Sequence, residues 1–295
     1  MHRKLAERLL CPFAFLYLCF MKTCLLSVPY DSGHHRKRLA AGPPILIDAV
    51  AQQLPAWGHS ARKAEVFVDM PFFTEVTTSF AVARAVAKQV AEAKQRGEFP
   101  IVFTGNCNAA ALGTLSGLQE DLGVIWFDCH GDFNTPETTV GGFLDGMALS
   151  IVAGQCWVQL AESIPGYAPV AEDKIILAGA RDVDALEAHR LAASAVRLIT
   201  PSTLAQPENA FDDFTLPVHA VYLHLDLDVL DPDYAQVNEY STPGGLSPET
   251  LYHAIDSIRR RYTIAGVGIT AYDPSLDPTA RIPEVAVEVI KRIVS

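Results

Sequence analysis

The stretch Val124-Ile-Trp-Phe-Asp128-Cys-His130-Gly-Asp132-Phe-Asn134-Thr-Pro136 passes from an unbroken apolar run straight into two acids, a histidine and a glycine. A short apolar run without polar alternation reads as a strand buried on both faces, as in a parallel sheet covered by helices. Other segments of the same kind lie on either side of it. The strand candidates are Cys24–Val28, Ala64–Asp69, Ile101–Thr104, Val124–Asp128, Lys174–Ala178, Val196–Thr200, Ala220–Asp226 and Ala265–Thr270. Helix-like stretches alternate with them: Ser79–Gly97, Asn108–Asp121, Gly146–Ala153, Val183–Leu191, Ser247–Arg261 and Arg281–Val294. Ser247-Pro248-Glu249 is a well-formed helix start, with a capping Ser, Pro at the first position and an acid in the first turn. Strand–helix alternation implies right-handed crossovers in one doubly wound sheet, an α/β fold of three layers, α/β/α. No repeat or low-complexity run interrupts it, and Pro201–Pro217 is the most loop-like stretch.

Composition narrows the class. The chain has 295 residues, 49% hydrophobic and 19% charged, enough for a sizeable core. Its formal charge of −11 repels phosphate backbones, so nucleic acid is not an expected partner. Cys11, Cys19, Cys24, Cys107, Cys129 and Cys156 form no CxxC pair and read as reduced, intracellular thiols, which places the protein in the cytoplasm. Met1–Arg8 is basic and Leu9–Met21 almost wholly apolar. That run is shorter than the ~20 residues of a membrane span. Residues 1–21 therefore read as an N-terminal extension or a signal-like segment, with Met21 an alternative start, and residues 22–295 as the domain.

In open parallel sheets ligands bind beyond the carboxyl ends of the strands. Gly105-Asn106-Cys107-Asn108, Asp128-Cys129-His130-Gly131-Asp132 and Asp226-Leu227-Asp228 all sit at such ends. Residues two apart on extended chain face the same way, so Asp128, His130 and Asp132 would converge with Asp226 and Asp228. Four acids buried together need compensation, and divalent cations supply it. Oxygen ligands with some imidazole suit Mn2+. A single DxD at a strand end is often only turn and cap chemistry, but two such clusters on one sheet are harder to assign that way.

With these motifs on view, the chain resembles the ureohydrolase family of arginases, agmatinases and formiminoglutamases. The carriers are Asp128-Cys-His130-Gly-Asp132 with Phe133-Asn134-Thr135-Pro136, and Asp226-Leu-Asp228-Val-Leu-Asp231-Pro232 with Ser241-Thr242-Pro243-Gly-Gly-Leu246. The resemblance implies an eight-stranded parallel sheet. It also implies two Mn2+ per chain, and a hydroxide between them that attacks linear C–N bonds of a small-molecule substrate. A homo-oligomer, trimer or hexamer, is implied too. In this reading Asp128, Asp132 and Asp228 bridge or hold both metals, His130 and Asp226 bind one, and Asp132 also holds the nucleophile. Asn134 and Thr139 would meet a substrate α-carboxylate, and Asp184 its α-amino group.

Three positions depart from the family pattern. Cys107 stands where the family has a metal-binding His, as it does in a hydroxyarginine hydrolase of the family; a thiolate would favour a softer divalent ion. Asp145 stands at the family's proton-shuttling His and could relay protons only with a raised pKa. Ala271 stands at the Glu that grips the guanidinium, and cannot make that charge-assisted pair. Asp273 and Glu239 are the nearby acids that could replace it, and Asp233–Ser241 is a longer loop than the family usually has. His224 reads as a partner of a metal carboxylate or as a core histidine. Cys129 and Cys156 read as packing residues, and the basic run His34–Arg38 as solvated loop or a site for an anionic group.

Overall fold

The computed structural model describes residues 21–206, 211 and 215–295. The apolar N-terminal segment falls in residues 1–20, outside the described residues.

β1 (Lys22–Val28) leads through a small ribbon, β2 (Tyr30–Asp31) and β3 (His34–His35), to α1 (Gly42–Gln53). Then come β4 (Ser60–Glu65), α2 (Glu75–Gln95), β5 (Phe99–Thr104), α3 (Cys107–Leu118) and β6 (Gly123–Phe127). Two short helices, α4 (Ala148–Val152) and α5 (Val158–Ala161), precede β7 (Ile175–Ala178) and α6 (Ala185–Ala193). β8 (Arg197–Ile199), α7 (Pro201–Leu204), β9 (Ala220–Asp226), α8 (Pro248–Arg261), β10 (Thr263–Thr270) and α9 (Arg281–Val294) complete the order.

One eight-stranded sheet runs β4-β1-β5-β10-β9-β6-β7-β8, with every pairing parallel. Alternate strand residues feed two cores, as expected for strands covered on both faces. Leu25, Phe103, Phe127 and Leu225 pack towards α1, α8 and α9. Leu26, Val102, Trp126 and Tyr222 pack towards α2, α3 and α4. The sandwich is the three-layer α/β/α arrangement. No helix among the described residues is long and apolar enough to cross a membrane.

Several short elements, β2, β3, α5 and α7, lie outside the expected set, and two larger differences bear on the fold. The second strand is Ser60–Glu65, not Ala64–Asp69. It is an edge strand, exposed on alternate residues and held by its register with β1, from Lys22 opposite Ser60 to Ser27 opposite Glu65. Its ion pairs Arg62–Glu98 (2.8 Å) and Lys63–Asp48 (2.7 Å) make it polar, so apolar content misplaces it. Helix α1 is additional; Pro43 and Pro44 lie in its first turn, where a missing N–H costs nothing.

The strand order sets up the site. β5 and β6 are consecutive parallel strands of the sheet, yet β10 and β9 lie between them. The loops leaving the carboxyl ends of these four central strands therefore surround one crevice.

Candidate metal centre and pocket

Each central strand delivers part of the cluster. β5 ends at Thr104 and α3 opens on Cys107; β6 runs into Asp128, His130 and Asp132; β9 ends in Asp226 with Asp228 just beyond; β10 ends at Thr270 with Ala271 next. Asp128, Asp132, Asp226, Asp228 and Cys107 are all buried, and His130 is half-buried.

Asp128, Cys129, His130 and Asp228 each bring one ligand atom within 4.8 Å of the others. Cys107, Asp128 and Asp226 do the same, so Asp128 is common to both groups. In the first group Nδ1 of His130 lies 3.1 Å from Oδ1 of Asp128 and 3.5 Å from Oδ2 of Asp228. In the second the Cys107 thiol donates to Oδ2 of Asp226 at 3.0 Å. Asp228, read as a bridging ligand, falls only in the His130 group, and Asp132 falls in neither.

Local bonds fix these carboxylates. Trp126 Nε1 donates to Asp128 Oδ2 (3.0 Å), and the His130 amide to Asp128 Oδ1 (2.7 Å). The Thr270 hydroxyl donates to Asp226 Oδ2 (3.0 Å), and the Asp228 amide to Asp226 Oδ1 (3.0 Å). Asp132 has φ +49°, a left-handed conformation, and its carbonyl accepts from Leu149 and Ser150 at the start of α4. A Cβ at Gly131 would lie 2.5 Å from Glu187 Oε1 and would displace that carboxylate from the Phe133 amide, which donates to it at 2.7 Å.

The electrostatics call for cations. Burial, and then the neighbouring acids, push Asp128, Asp132 and Asp226 above the usual carboxylate range. Burial alone would lower the His130 pKa, but Asp228 and Asp128 override it and raise it. Oδ2 of Asp132 is buried without a hydrogen-bond partner. An acceptor left bare in a nest of acids, beside an imidazole and a thiol, fits a pair of divalent cations.

The centre forms the floor of a cavity of about 250 Å³. Asn134, Thr139 and Asp184 line it, with Phe143 and Tyr240 on its wall. Phe143 and Tyr240 pack against each other, ring centroids 5.9 Å apart. Asp184 begins α6 without a side-chain cap bond. Ala271 lies on the cavity wall with φ +63°. Neither Asp273 nor Glu239 lines the cavity, so neither replaces the missing glutamate there.

Asp145 also lines the cavity, but its carboxylate is engaged. Oδ2 accepts from Asn106 Nδ2 (2.9 Å) and the Cys107 amide (3.0 Å), and Oδ1 from the Asn108 amide (2.9 Å). It caps α3, whose own N-cap Asn106 makes no side-chain cap bond. Burial pushes its pKa up to about 7 against these bonds.

His224 is fully buried and stacks on Trp126, centroids 3.6 Å apart. Its ring nitrogens lie 3.0 Å from the Tyr222 hydroxyl and 3.4 Å from that of Thr270. Burial lowers its pKa and keeps it neutral, so it touches Asp226 only through Thr270. Three members of the basic run are engaged: Arg36 pairs with Glu65 at the end of β4 (2.7 Å), Arg38 with Asp31 (2.9 Å), and His34 stacks on Phe72.

Three residues near the centre are not among the site residues expected from the sequence. Cys129 places its thiol against the His130 ring, 3.3 Å from Nδ1 and 3.5 Å from Nε2. Asn238 donates to Asp228 Oδ2 at 3.2 Å. The Arg181 guanidinium donates to the carbonyls of Asp228, Leu230 and Thr242 (2.6–3.2 Å), stapling the loop after β9.

Comparison with known proteins agrees with this architecture. The profile of the Arginase family matches residues 21–295. The arginase of Bacillus caldovelox is 31% identical over 285 residues, 89% of this chain and 94% of that protein. The arginase of Bacillus subtilis is 27% identical over 289 residues, 91% and 96% of the two chains. A crystal structure of arginase from Bacillus subtilis superposes with TM-score 0.83 at 25% identity, covering 93% of this chain and 98% of that one. On its sequence, its sheet and its cluster of ligand groups, the chain belongs to the arginase family.

Proposed function

We propose that this arginase-family hydrolase holds two divalent cations and cleaves a linear C–N bond, guanidino or amidino, in a small amino-acid-like substrate. The observation that carries the reading is the pair of ligand groups sharing Asp128, beside the unpartnered Oδ2 of Asp132 on the cavity floor. Cys107, Asp128 and Asp226 would hold one ion, and Asp128, His130 and Asp228 the other. Such a pair, when bound, supplies Lewis-acid charge and a hydroxide at neutral pH. The free oxygen of Asp132 would accept a hydrogen bond from the nucleophile and so orient it. Asn134, Thr139 and Asp184 orient the amino-acid-like end of the substrate. Ala271 provides no carboxylate for a guanidinium, which favours a substrate other than arginine. A cytoplasmic setting, read from the cysteines, and a trimer or hexamer, carried from the family resemblance, belong to the same proposal.

The test uses protein beginning at Met21, assayed for metal content and for urea or ammonia release from guanidino and formimino acids with added Mn2+. About two ions per chain and product from any substrate are the expected result. Fewer than one ion after loading, with no product, would overturn the binuclear reading.

A second reading is a relative that binds metal but acts as a binding or assembly subunit. The engagement of Asp145 as a helix cap, in place of a mobile proton carrier, favours it. A Cys107→His variant separates the two: a gain in hydrolysis supports the enzyme, and metal binding without turnover in any variant supports the subunit.

A further inference from the structure

A row of polar side chains runs through the core to the Cys107 side of the centre. Tyr222, His224 and Asp226 lie two residues apart on β9 and so share one face of the strand. In the sheet register Thr270 of β10 stands opposite Asp226, and Gly268 opposite His224. Tyr222, His224 and Thr270 are fully buried. Gly268 leaves room for the row: a Cβ there would lie 2.1 Å from the Tyr222 hydroxyl. Trp126, stacked on the imidazole at 3.6 Å, limits its rotation.

The hydrogen-bond partners assign the protons of this row. The Tyr222 hydroxyl lies 3.0 Å from His224 Nδ1, and Thr270 Oγ1 lies 3.4 Å from Nε2. Thr270 Oγ1 is also 3.0 Å from Asp226 Oδ2 and 3.2 Å from Cys107 Sγ. A neutral imidazole carries one N–H. With that proton on Nε2, Tyr222 donates to Nδ1, Nε2 donates to the Thr270 oxygen, and the Thr270 hydrogen is left for Asp226 and Cys107. With the proton on Nδ1, Thr270 would have to turn its hydrogen to Nε2 and away from the carboxylate. A bond to an ionised acceptor is the stronger of the two, so the first arrangement prevails. It keeps a donor turned toward Asp226 and Cys107, two members of one ligand group.

We propose that Thr270, oriented by His224 and Tyr222, is a positioning residue of the Cys107-side cation, holding the Asp226 carboxylate and the Cys107 sulfur together as one ligand pair. The inference rests on the binuclear reading above. When the sulfur binds an ion its proton leaves to solvent, and the Thr270 donor then faces a thiolate and a carboxylate. Partners of this kind, bonded to the ligands and not to the metal, change metal affinity about 10–100-fold.

The experiment titrates the full chain with Co2+ and reads the near-ultraviolet thiolate-to-cobalt charge-transfer band, which Cys107→Ala should abolish. Wild type is compared with Thr270→Val, Thr270→Ser and Tyr222→Phe. Valine keeps the volume and removes the hydroxyl, and serine restores it. A hydrogen bond to a thiolate stabilises its lone pairs, so losing it moves the band to longer wavelength. In Thr270→Val the expected result is a red-shifted band and a Cys107-side ion bound about 10–100-fold more weakly, with the other Co2+ unchanged. Thr270→Ser should behave as wild type, and Tyr222→Phe should shift the band the same way by less. Tyr222→Phe, which removes one hydroxyl, carries the test should Thr270→Val not fold. Two Co2+ in wild type, with band and affinity unchanged in Thr270→Val and Tyr222→Phe, would reduce the row to packing and leave the binuclear reading intact. No Co2+ in wild type would overturn both.

Discussion

Asn238 is fully buried on the irregular loop after β9, and all four hydrogen-bonding sites of its amide are used. Nδ2 donates to Asp228 Oδ2 (3.2 Å) and the Ala271 carbonyl (2.9 Å). Oδ1 accepts from the Tyr240 amide (2.9 Å) and the Ser241 hydroxyl (3.3 Å). The backbone donor from Tyr240 prevents the amide from flipping, so a donor always faces Asp228. That stabilises the ionised carboxylate, the form that binds a cation. Asn238→Ala should weaken the His130-side ion about 10–100-fold, and Asn238→Asp more, since it adds a carboxylate beside Asp228. Two-step metal titration reads this directly; unchanged affinity in both variants would remove Asn238 from the centre. The contrast with the acids shows what a sequence reveals at this scale. Asp128, His130, Asp132, Asp226 and Asp228 are legible because extended-chain periodicity and strand-end position already group them. Cys129 is not legible from that periodicity: its thiol lies against the His130 ring, 3.3 Å from Nδ1 and 3.5 Å from Nε2. Asn238 could not be read at all, because its loop is shaped by distant partners such as Arg181.

At the scale of elements, the first turn of α3 is held from outside. Asp145 stands 38 residues beyond Cys107 and supplies the acceptors that the helix's own N-cap does not. Removing such a cap costs about 1–2 kcal/mol. Asp145→Ala should therefore lower the urea midpoint and weaken the Cys107-side ion, while Asp145→Asn, retaining one acceptor, should fall between. If Asp145 were instead a proton carrier alone, Asp145→Ala would leave the midpoint unchanged and abolish turnover, so a denaturation curve decides between the roles. The fold itself was largely readable for a simple reason. Strands buried on both faces carry a continuous apolar signal, and the central strands β5, β6, β9 and β10 all show it. The edge strand β4 does not, since solvent and ion pairs cover one side of it. Helix α1 opens on Gly42-Pro43-Pro44, which reads as a breaker unless the first helical turn is recognised as the place where proline is tolerated.

At the scale of the whole molecule, buried acids tie stability to both protons and metal. Burial, then neighbouring acids, raises Asp128, Asp132 and Asp226; burial also raises Asp145 to about 7 and Glu187 to about 6. Folded-state pKa values above the unfolded ones mean that folding takes up protons. The corresponding stability is full below the unfolded carboxylate range, near pH 4, and is lost as pH rises through the folded values, about 6 to 7 for Glu187 and Asp145. With a chelator present, Tm should therefore fall from about pH 6 to pH 8, opposite to a protein whose acids are salt-bridged. Cations reverse the slope, because they require the ionised carboxylates and displace the protons. At an ion concentration near 100 times Kd the gain is about 2.7 kcal/mol per site, and it should grow as pH rises. Calorimetry at three pH values, with chelator and with saturating Co2+, tests both slopes on one protein. A chelated protein at least as stable at pH 8 as at pH 6 would show that the cluster ionises without strain, and the acids would then need no cation to explain them.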